Sequence, residues 1–284
     1  MINNIQIDSL LPAEMAQKAE DIGQKKARLD FWTMFGLSVL AGAFIALGAI
    51  FATTVSTGGS ALPYGVNRLI MGFSFCLGLI LVIVGGAELF TGNTLIIMAY
   101  MSHKIRFRRL ARNWGVVYLG NFVGSVLTAI TMFLTKQFTF AGGNLGLNIL
   151  NIAESKTSLE FIPAVALGII CNALVCLAVW LTFSARTTTD KILAIIFPIT
   201  AFVAAGTEHS VANMYFIPIG LLVKYFGGSA FFEQIGKTAA DFPHLTVKNF
   251  LLANLLPVTI GNMIGGAVLV GAAYWYIYLH KKNK

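Results

Sequence analysis

The chain is poor in charged residues. Only 11% of its 284 residues are Asp, Glu, Lys or Arg, whereas a soluble domain averages about 25%. Hydrophobic residues account for 57%, and the mean hydropathy is +0.77. This composition excludes an ordinary soluble domain and indicates a polytopic membrane protein. Residues 1–30 carry mixed charges and no apolar run, so no cleavable signal peptide is expected.

Residues that support metal or covalent chemistry are also scarce. The three cysteines, Cys76, Cys171 and Cys176, lie in apolar segments without metal-ligand spacing, which indicates small buried side chains. Of the four histidines only His209 falls within a predicted membrane span, and no His-Glu-x-x-His sequence is present. These absences argue against a membrane enzyme, and neither a metal nor a cofactor is expected.

The basic residues follow membrane topology. The net charge of +8 is spread between apolar segments, with no separate aromatic and basic strip, so nucleic-acid binding is excluded. If six spans alternate, 14 of the 20 Lys and Arg residues fall on one side and six on the other. The richer side is cytoplasmic. Both termini, including the tail at 281–284, are therefore predicted to face the cytoplasm.

Six apolar segments are each near the roughly 20 residues that cross a bilayer. Before them, residues 1–30 are predicted to contain an amphipathic helix at 5–28, too polar to span, that lies at the membrane surface or on a channel mouth. The channel domain is predicted at 31–280. The predicted spans are 33–55, 69–101, 113–135, 161–184, 191–226 and 249–279.

The second and fifth spans are too long for one straight helix, and each contains the spacing Gly-x-Glu-x-x-x-x-Asn. The copies are Gly86-Ala87-Glu88-Leu89-Phe90-Thr91-Gly92-Asn93 and Gly206-Thr207-Glu208-His209-Ser210-Val211-Ala212-Asn213, which lie 120 positions apart. Non-helical backbone at this depth is tolerated only inside protein or along a polar cavity. The two breaks therefore predict a transport pathway.

A second repeated pattern occurs in spans three and six. Asn113 and Asn254 each stand eight residues before another Asn, in Gly120-Asn121-Phe122-Val123-Gly124 and Gly261-Asn262-Met263-Ile264-Gly265. Three spans per half is an odd number, so the halves (about 31–135 and 160–280) are predicted to be inverted, with the two breaks facing each other near the midplane. The paired glycines predict close helix packing within the protomer or, alternatively, an oligomer contact.

Residues shared by the two breaks are predicted to build the loops, and residues that differ to serve the substrate. Glu88 and Glu208 would accept hydrogen bonds from freed loop amides, as would Asn93 and Asn213; a cation or proton site is the alternative for the glutamates. Thr91 and His209 differ between the copies. They are expected to face each other across a narrow lumen.

Three motifs in order resemble the formate–nitrite transporter family. They are Ala87-Glu88-Leu89-Phe90-Thr91-Gly92, Gly168-x-x-Cys171-Asn172-x-x-x-Cys176-Leu177-Ala178 and Glu208-His209-Ser210-x-Ala212-Asn213-Met214. The resemblance covers essentially the whole chain. The chain length, a Leu-Leu-Pro-Ala segment near the start and the run Leu256-Pro257-Val258-Thr259-Ile260-Gly261-Asn262 look most like the formate channels of the family.

The resemblance implies an all-α, aquaporin-like protomer with broken second and fifth helices, in a homopentamer in the bacterial inner membrane, in contact with lipids. Each protomer would carry one pore, with His209 and Thr91 between two hydrophobic constrictions. The positions implied for the outer constriction are Phe75 and Phe202, and those for the inner one Leu79, Leu89 and Phe90. The further pathway positions are Asn172, Val175 and the vestibule residue Lys156.

The implied activity is pH-dependent passage of formate and related small anions. Burying a bare anion in a dry constriction costs several kcal/mol or more, so protonation near His209 would allow passage as formic acid, whereas passive anion flow is the other regime. Nitrite and hydrosulfide are alternative substrates, because the same small-anion lumen would serve them. An aquaporin-type channel for neutral solutes is disfavoured, because neither break contains Asn-Pro-Ala.

Overall fold

The computed structural model describes residues 9–280. The beginning of the predicted amphipathic helix and the predicted tail at 281–284 lie outside this range. The predicted all-helical fold is confirmed, since helices account for nearly all regular structure and residues 9–280 contain no strand. A short helix at Ser229–Gln234 is left unnumbered. The main helices are α1 Pro12–Arg28, α2 Phe31–Ser56, α3 Tyr64–Gly85, α4 Phe90–Met101, α5 Phe107–Leu134, α6 Asn144–Thr157, α7 Phe161–Ser184, α8 Thr188–Ala204, α9 Ser210–Phe226 and α10 Val247–Tyr278.

Five helices in residues 9–280 are long and apolar enough to cross a membrane: α2, α3, α5, α7 and α10. The predicted second span is α3 followed by the shorter apolar helix α4. The predicted fifth span is divided into α8 and α9, each of 17 residues. Five of the six predicted segments thus contain a full-length apolar helix, and the remaining one, the fifth, consists of two shorter helices.

Both breaks begin at a glycine with left-handed backbone. Gly86 ends α3 with a φ of 80°, and Gly206 follows α8 with a φ of 73°. An L-residue with a side chain is strained in this region, whereas glycine is not. The chain then runs extended until α4 starts at Phe90 and α9 at Ser210.

The paired glycines of α5 and α10 bring helices of the same protomer together. A Cβ at Gly120 would meet Ser38 of α2, and one at Gly261 would lie 3.0 Å from Cα of Gly168 on α7. Gly124 and Gly265 abut backbone of α2 and α7 in the same way. The predicted packing role is therefore confirmed inside the protomer.

The helix α6 was not predicted. It lies between the two halves and packs on α9, as α1 packs on α4. Its 14 residues, Asn144–Thr157, are too few and too polar to resemble a span. The positions of α1 and α6 place one helix beside each break.

Candidate functional site

The first break is held by a buried carboxylate. Glu88 pairs with Nζ of Lys26 at 2.9 Å and accepts a hydrogen bond from Nδ2 of Asn93 at 2.7 Å. The same amide of Asn93 donates to Oδ1 of Asn113 at 3.0 Å. Asn113 in turn donates to the carbonyl of Lys26 at 3.2 Å. Four residues from α1, the break, α4 and α5 thus form one closed network.

The second break repeats this network residue for residue. Glu208 pairs with Nζ of Lys156 at 2.8 Å and accepts from Nδ2 of Asn213 at 2.6 Å. Asn213 donates to Oδ1 of Asn254 at 2.7 Å, and Asn254 donates to the carbonyl of Lys156 at 2.8 Å. The two glutamates therefore have equivalent partners.

A second pair of asparagines fixes the backbone of each break. Oδ1 of Asn121 accepts the backbone N–H of Phe90, and Oδ1 of Asn262 accepts that of Ser210, both at 2.9 Å. Their amide groups donate to the carbonyls of Glu88 and Glu208 at 2.9 and 3.0 Å. The non-helical backbone is thereby satisfied inside the protein, as a buried peptide group requires.

These contacts differ from the predicted ones in their donors. The sequence predicted that the glutamates, with Asn93 and Asn213, accept hydrogen bonds from loop amides. The described donors to the glutamates are instead side chains: a lysine and an asparagine for Glu88, and a lysine and two asparagines, Asn213 and Asn254, for Glu208. The loop amide of Phe90 is taken by Asn121, because an amide side chain carries both an acceptor and donors and spans two backbone groups at once.

Sequence reasoning missed Lys26, which occupies the place in the first half that Lys156 has in the second. The two lie 130 positions apart. The burial pattern of residues 15–49 recurs at 145–179 and differs at only one position, Leu47 against Leu177. The similar sequences Leu29-Asp30-Phe31 and Leu159-Glu160-Phe161, which follow the two lysines, indicate this correspondence without the structure. The correspondence between the halves thus begins before the first predicted span.

Thr91 and His209 contact each other at the centre of the protein. Oγ1 of Thr91 lies 2.9 Å from Nε2 of His209, and both side chains are buried. Nδ1 of His209 accepts the backbone N–H of Ala212 at 3.0 Å and thereby caps the start of α9. Because Nδ1 accepts, the proton of a neutral ring lies on Nε2, which donates to Thr91.

One cavity lies at each break, and of the central pair only His209 lines a cavity. The first vestibule, of about 360 Å³, lies beside α1 and is lined by Lys26, Leu79, Glu88 and Leu89 among others. The second vestibule, of about 150 Å³, lies beside α6. Its lining includes Lys156, Glu208, Phe75, Phe202 and His209.

The remaining predicted pathway residues are buried, but Phe90, Asn172 and Val175 line neither vestibule. The rings of Phe75 and Phe202 meet edge to face with centroids 5.6 Å apart, and Phe202 stacks on His209 at 5.9 Å. Phe90 packs against Tyr118 at 4.9 Å.

On α7, Asn172 donates to the carbonyl of Thr91 at 3.2 Å and to that of Asn262 at 2.6 Å. Val175 is buried on the same helix. Among residues 9–280, no three His, Cys, Asp or Glu side chains are grouped as metal ligands.

A family model for the formate/nitrite transporter family matches residues 13–276. The chain belongs to the formate/nitrite transporter family. It is 45% identical to the formate channel FocA of Escherichia coli K12 over 276 residues, which are 97% of each chain. It is 40% identical to the formate channel FocA of Haemophilus influenzae, over 95% of each chain.

Solved structures agree with this assignment to the formate/nitrite transporter family. A pentameric formate channel with formate bound matches with a TM-score of 0.84 and 46% identity, over 88% of this chain and 98% of that one. An ion channel of the same family matches with a TM-score of 0.77 and 32% identity. The chain is therefore an integral membrane transport protein and not an enzyme.

Proposed function

We propose that this protein is a homopentameric channel of the bacterial inner membrane that passes formate and related small monovalent anions. The similarity to FocA at 45% identity and to a pentameric formate channel with formate bound supports both parts. The excess of Lys and Arg on one side supports cytoplasmic termini. The first vestibule then opens to the cytoplasm, and the second faces away from it.

The observation that carries this proposal is the contact between Thr91 of the first break and His209 of the second, with one vestibule at each break. Substrate would pass from one vestibule, between Leu79 and Leu89, to this pair, and leave between Phe75 and Phe202. Phe90, Asn172 and Val175 would complete the wall of the passage. At the centre, an oxygen of the anion would take the place of Thr91 Oγ1 as acceptor for Nε2 of His209.

The proposed pH dependence follows from the hydrogen bonds of His209. A second ring proton would have to sit on Nδ1, which already accepts the N–H of Ala212. Protonating the ring would therefore leave a buried donor without its partner, at a cost of about 1–3 kcal/mol. The histidine stays neutral and its Nε2–H holds the anion at the centre, where a proton relayed from the solution through vestibule water neutralises it, so this transfer requires Nε2. Passage as formic acid then increases as the pH falls.

Uptake into proteoliposomes tests the substrate. Formate, nitrite and hydrosulfide are offered separately at an acidic and a neutral pH, and the initial rate of each is measured. We expect formate to enter fastest, and faster at the acidic pH. A higher rate for nitrite or hydrosulfide would assign the channel to that anion, and no uptake of any of the three would refute the proposal.

The two phenylalanines of the second vestibule are proposed to set the size limit. Phe75→Ala and Phe202→Ala should admit a larger carboxylate such as lactate, because each removes an aromatic ring from the passage. Phe122→Ala, in which the lost ring stacks on Phe250 instead, is the matched control. If both vestibule variants retain the parent's size limit, the outer constriction lies elsewhere.

A further inference from the structure

The positive charges of the two lysines beside the breaks are neutralised by neighbouring glutamates. Lys156 pairs with Glu208 and Lys26 with Glu88, at 2.8 and 2.9 Å. Each lysine also holds a buried asparagine network together through its backbone carbonyl. A cation in contact with a carboxylate exerts little net attraction on a distant anion. The charge that draws an anion into either vestibule must therefore come from another residue.

Arg68 supplies such a charge in the second vestibule, which it lines together with Lys156. Its Nε donates to the carbonyl of Ala204 at 3.1 Å, and its Nη2 donates to the carbonyl of Val203 at the same end of α8. Nη2 lies 3.3 Å from where a Cβ of Gly206 would be, so the guanidinium sits directly over the break.

No carboxylate lies within 4 Å of this guanidinium among residues 9–280. The helix end offsets only about half of a unit charge. A guanidinium carries five N–H donors. The two carbonyl bonds use two of them, and Nη1 donates a third to Sδ of Met71 at 3.7 Å. The remaining two are left for a carboxylate, which Arg binds through two parallel hydrogen bonds.

The first vestibule has an equivalent arrangement, in which Lys18 and Lys191 line the cavity. Nζ of Lys18 donates to the carbonyl of Phe183 at 2.7 Å, near the end of α7. Burial, together with the charges of Arg186 and Lys191, lowers the pKa of Lys18. Among residues 9–280, neither Lys18 nor Lys191 has a carboxylate within 4 Å.

We infer that Arg68, and on the opposite side Lys18 with Lys191, are the first binding stations for a small carboxylate anion, and that Lys156 and Lys26 hold the breaks together. This inference rests on the proposed function. Each station contains one cation, Arg68 or Lys18, that is anchored on a backbone carbonyl at a helix end. An anion would bind there before it loses its hydration shell at the hydrophobic constrictions.

Initial uptake rates, with salt raised on one side of the membrane at a time, test this inference. Right-side-out and inverted membrane vesicles are given formate well below saturation. Arg68→Gln should lower uptake by about tenfold in both orientations, the lower range of electrostatic steering, because a passive channel has the same permeability in both directions. External salt should lower the parent's rate to that of Arg68→Gln only when the second vestibule faces outward. At saturating formate the loss should shrink to about twofold. Arg68→Lys should recover most of the rate, and Lys248→Gln, a charge change on the same side outside the vestibule, should have no effect.

The double variant Lys18→Gln and Lys191→Gln should lower uptake in the same way, but here the matching effect of salt on the parent should come from the first-vestibule side, with Arg108→Gln as the control. High salt should remove both losses, because the Debye length falls to about 3 Å at 1 M. Losses that salt does not change, or that salt removes equally well from either side, would overturn the inference and make these residues structural. If the parent passes formate and all variants match it, the stations do not exist. If the parent itself does not pass formate, the result refutes the proposed function, and with it the inference that rests on it.

Discussion

The two halves of this protein share a scaffold and differ in the residues that meet at its centre. Glu88 and Glu208 have the same set of partners, and the burial pattern of the preceding helices is nearly identical. At the third position after each glutamate, in contrast, the first half has Thr91 and the second has Val211. The two breaks thus have the same scaffold contacts but carry different side chains at the centre of the protein.

The difference also affects how each break is capped. His209 caps α9 with its own ring nitrogen, whereas Leu89 at the start of α4 has no side-chain cap. Asn172 stands on α7 where α2 has Gly42, 130 positions earlier. Polar side chains are therefore concentrated in the second half, and the first half contributes Thr91. Because the scaffold residues are shared and only the central residues differ, the residues that would contact the substrate can change without unfolding the breaks.

The largest expected effect is on stability, and it tests the equality of the two breaks. Glu88→Gln and Glu208→Gln each replace one carboxylate oxygen with an NH2 group. This group is a donor and faces the lysine and asparagine donors of the network. Breaking a buried ion pair from one side costs about 3–5 kcal/mol. The loss should be greater for Glu208, because the side chain of Lys156 is 14% exposed and that of Lys26 is 30% exposed.

Thermal unfolding of the purified oligomer in detergent measures this effect, and flux per folded protein is measured separately. Asp241→Asn, an exposed carboxylate that caps a turn, is a control that should change little. Normal stability with abolished flux in either glutamate variant would assign that glutamate to proton transfer rather than to the scaffold.

The second-largest expected effect tests whether the backbone of the two breaks is stabilised equally. Asn121→Ala and Asn262→Ala each remove three hydrogen bonds to buried backbone groups. We expect each variant to lose about 3 kcal/mol, since an unsatisfied buried group costs about 1–3 kcal/mol and neighbouring groups relax partly. Asn148→Ala, which also loses three hydrogen bonds but is only partly buried, should lose less. Unequal losses for Asn121 and Asn262 would show that the breaks are not equivalent.

Much of this frame was predictable from the sequence, because the repeated spacing of glycine, glutamate and asparagine is readable without coordinates. The meeting of Thr91 and His209 followed from the same repeat. Lys26 was missed, since it lies in a polar helix where a lysine is common and its partner Glu88 is 62 positions away. Arg68 is one of the six basic residues on the side with fewer Lys and Arg, and nothing in the sequence distinguishes it from the other five. Its anchoring on α8 depends on how α3 crosses that helix, which periodicity does not reveal.

The third effect separates the two roles of His209. His209→Phe should lose about 1 kcal/mol of stability with the helix cap, and the pH dependence of formate uptake with Nε2. His209→Asn retains a capping acceptor for the N–H of Ala212 but is too short to reach Thr91. We therefore expect it to regain the stability without the pH dependence, as measured by unfolding and by uptake at two pH values. Parent-like uptake by His209→Asn would remove the ring from the mechanism.

The smallest expected effect concerns α1, which is attached to the rest of the protein differently from its counterpart α6. Glu20 on α1 is buried, where the equivalent position on α6 is Leu150. It pairs with Lys104 and accepts a hydrogen bond from Ser102 at 2.9 Å. Because Lys104 is one-third exposed, Glu20→Gln should weaken the docking of α1 by less than about 1 kcal/mol, whereas Glu20→Leu restores the apolar packing of the second half.

Proteolysis at basic residues of α1 measures this docking as a function of pH. Burial lowers the pKa of Lys104, but its hydrogen bonds to Glu20 and Asp21 outweigh burial and raise it above the ordinary 10.5. A raised lysine pKa stabilises the docked helix at every pH below 10.5, and this contribution is lost only as the pH rises through the raised value. The lysine therefore cannot release α1 between acidic and neutral pH. Faster cleavage of the parent across that range, abolished by Lys104→Met, would contradict this.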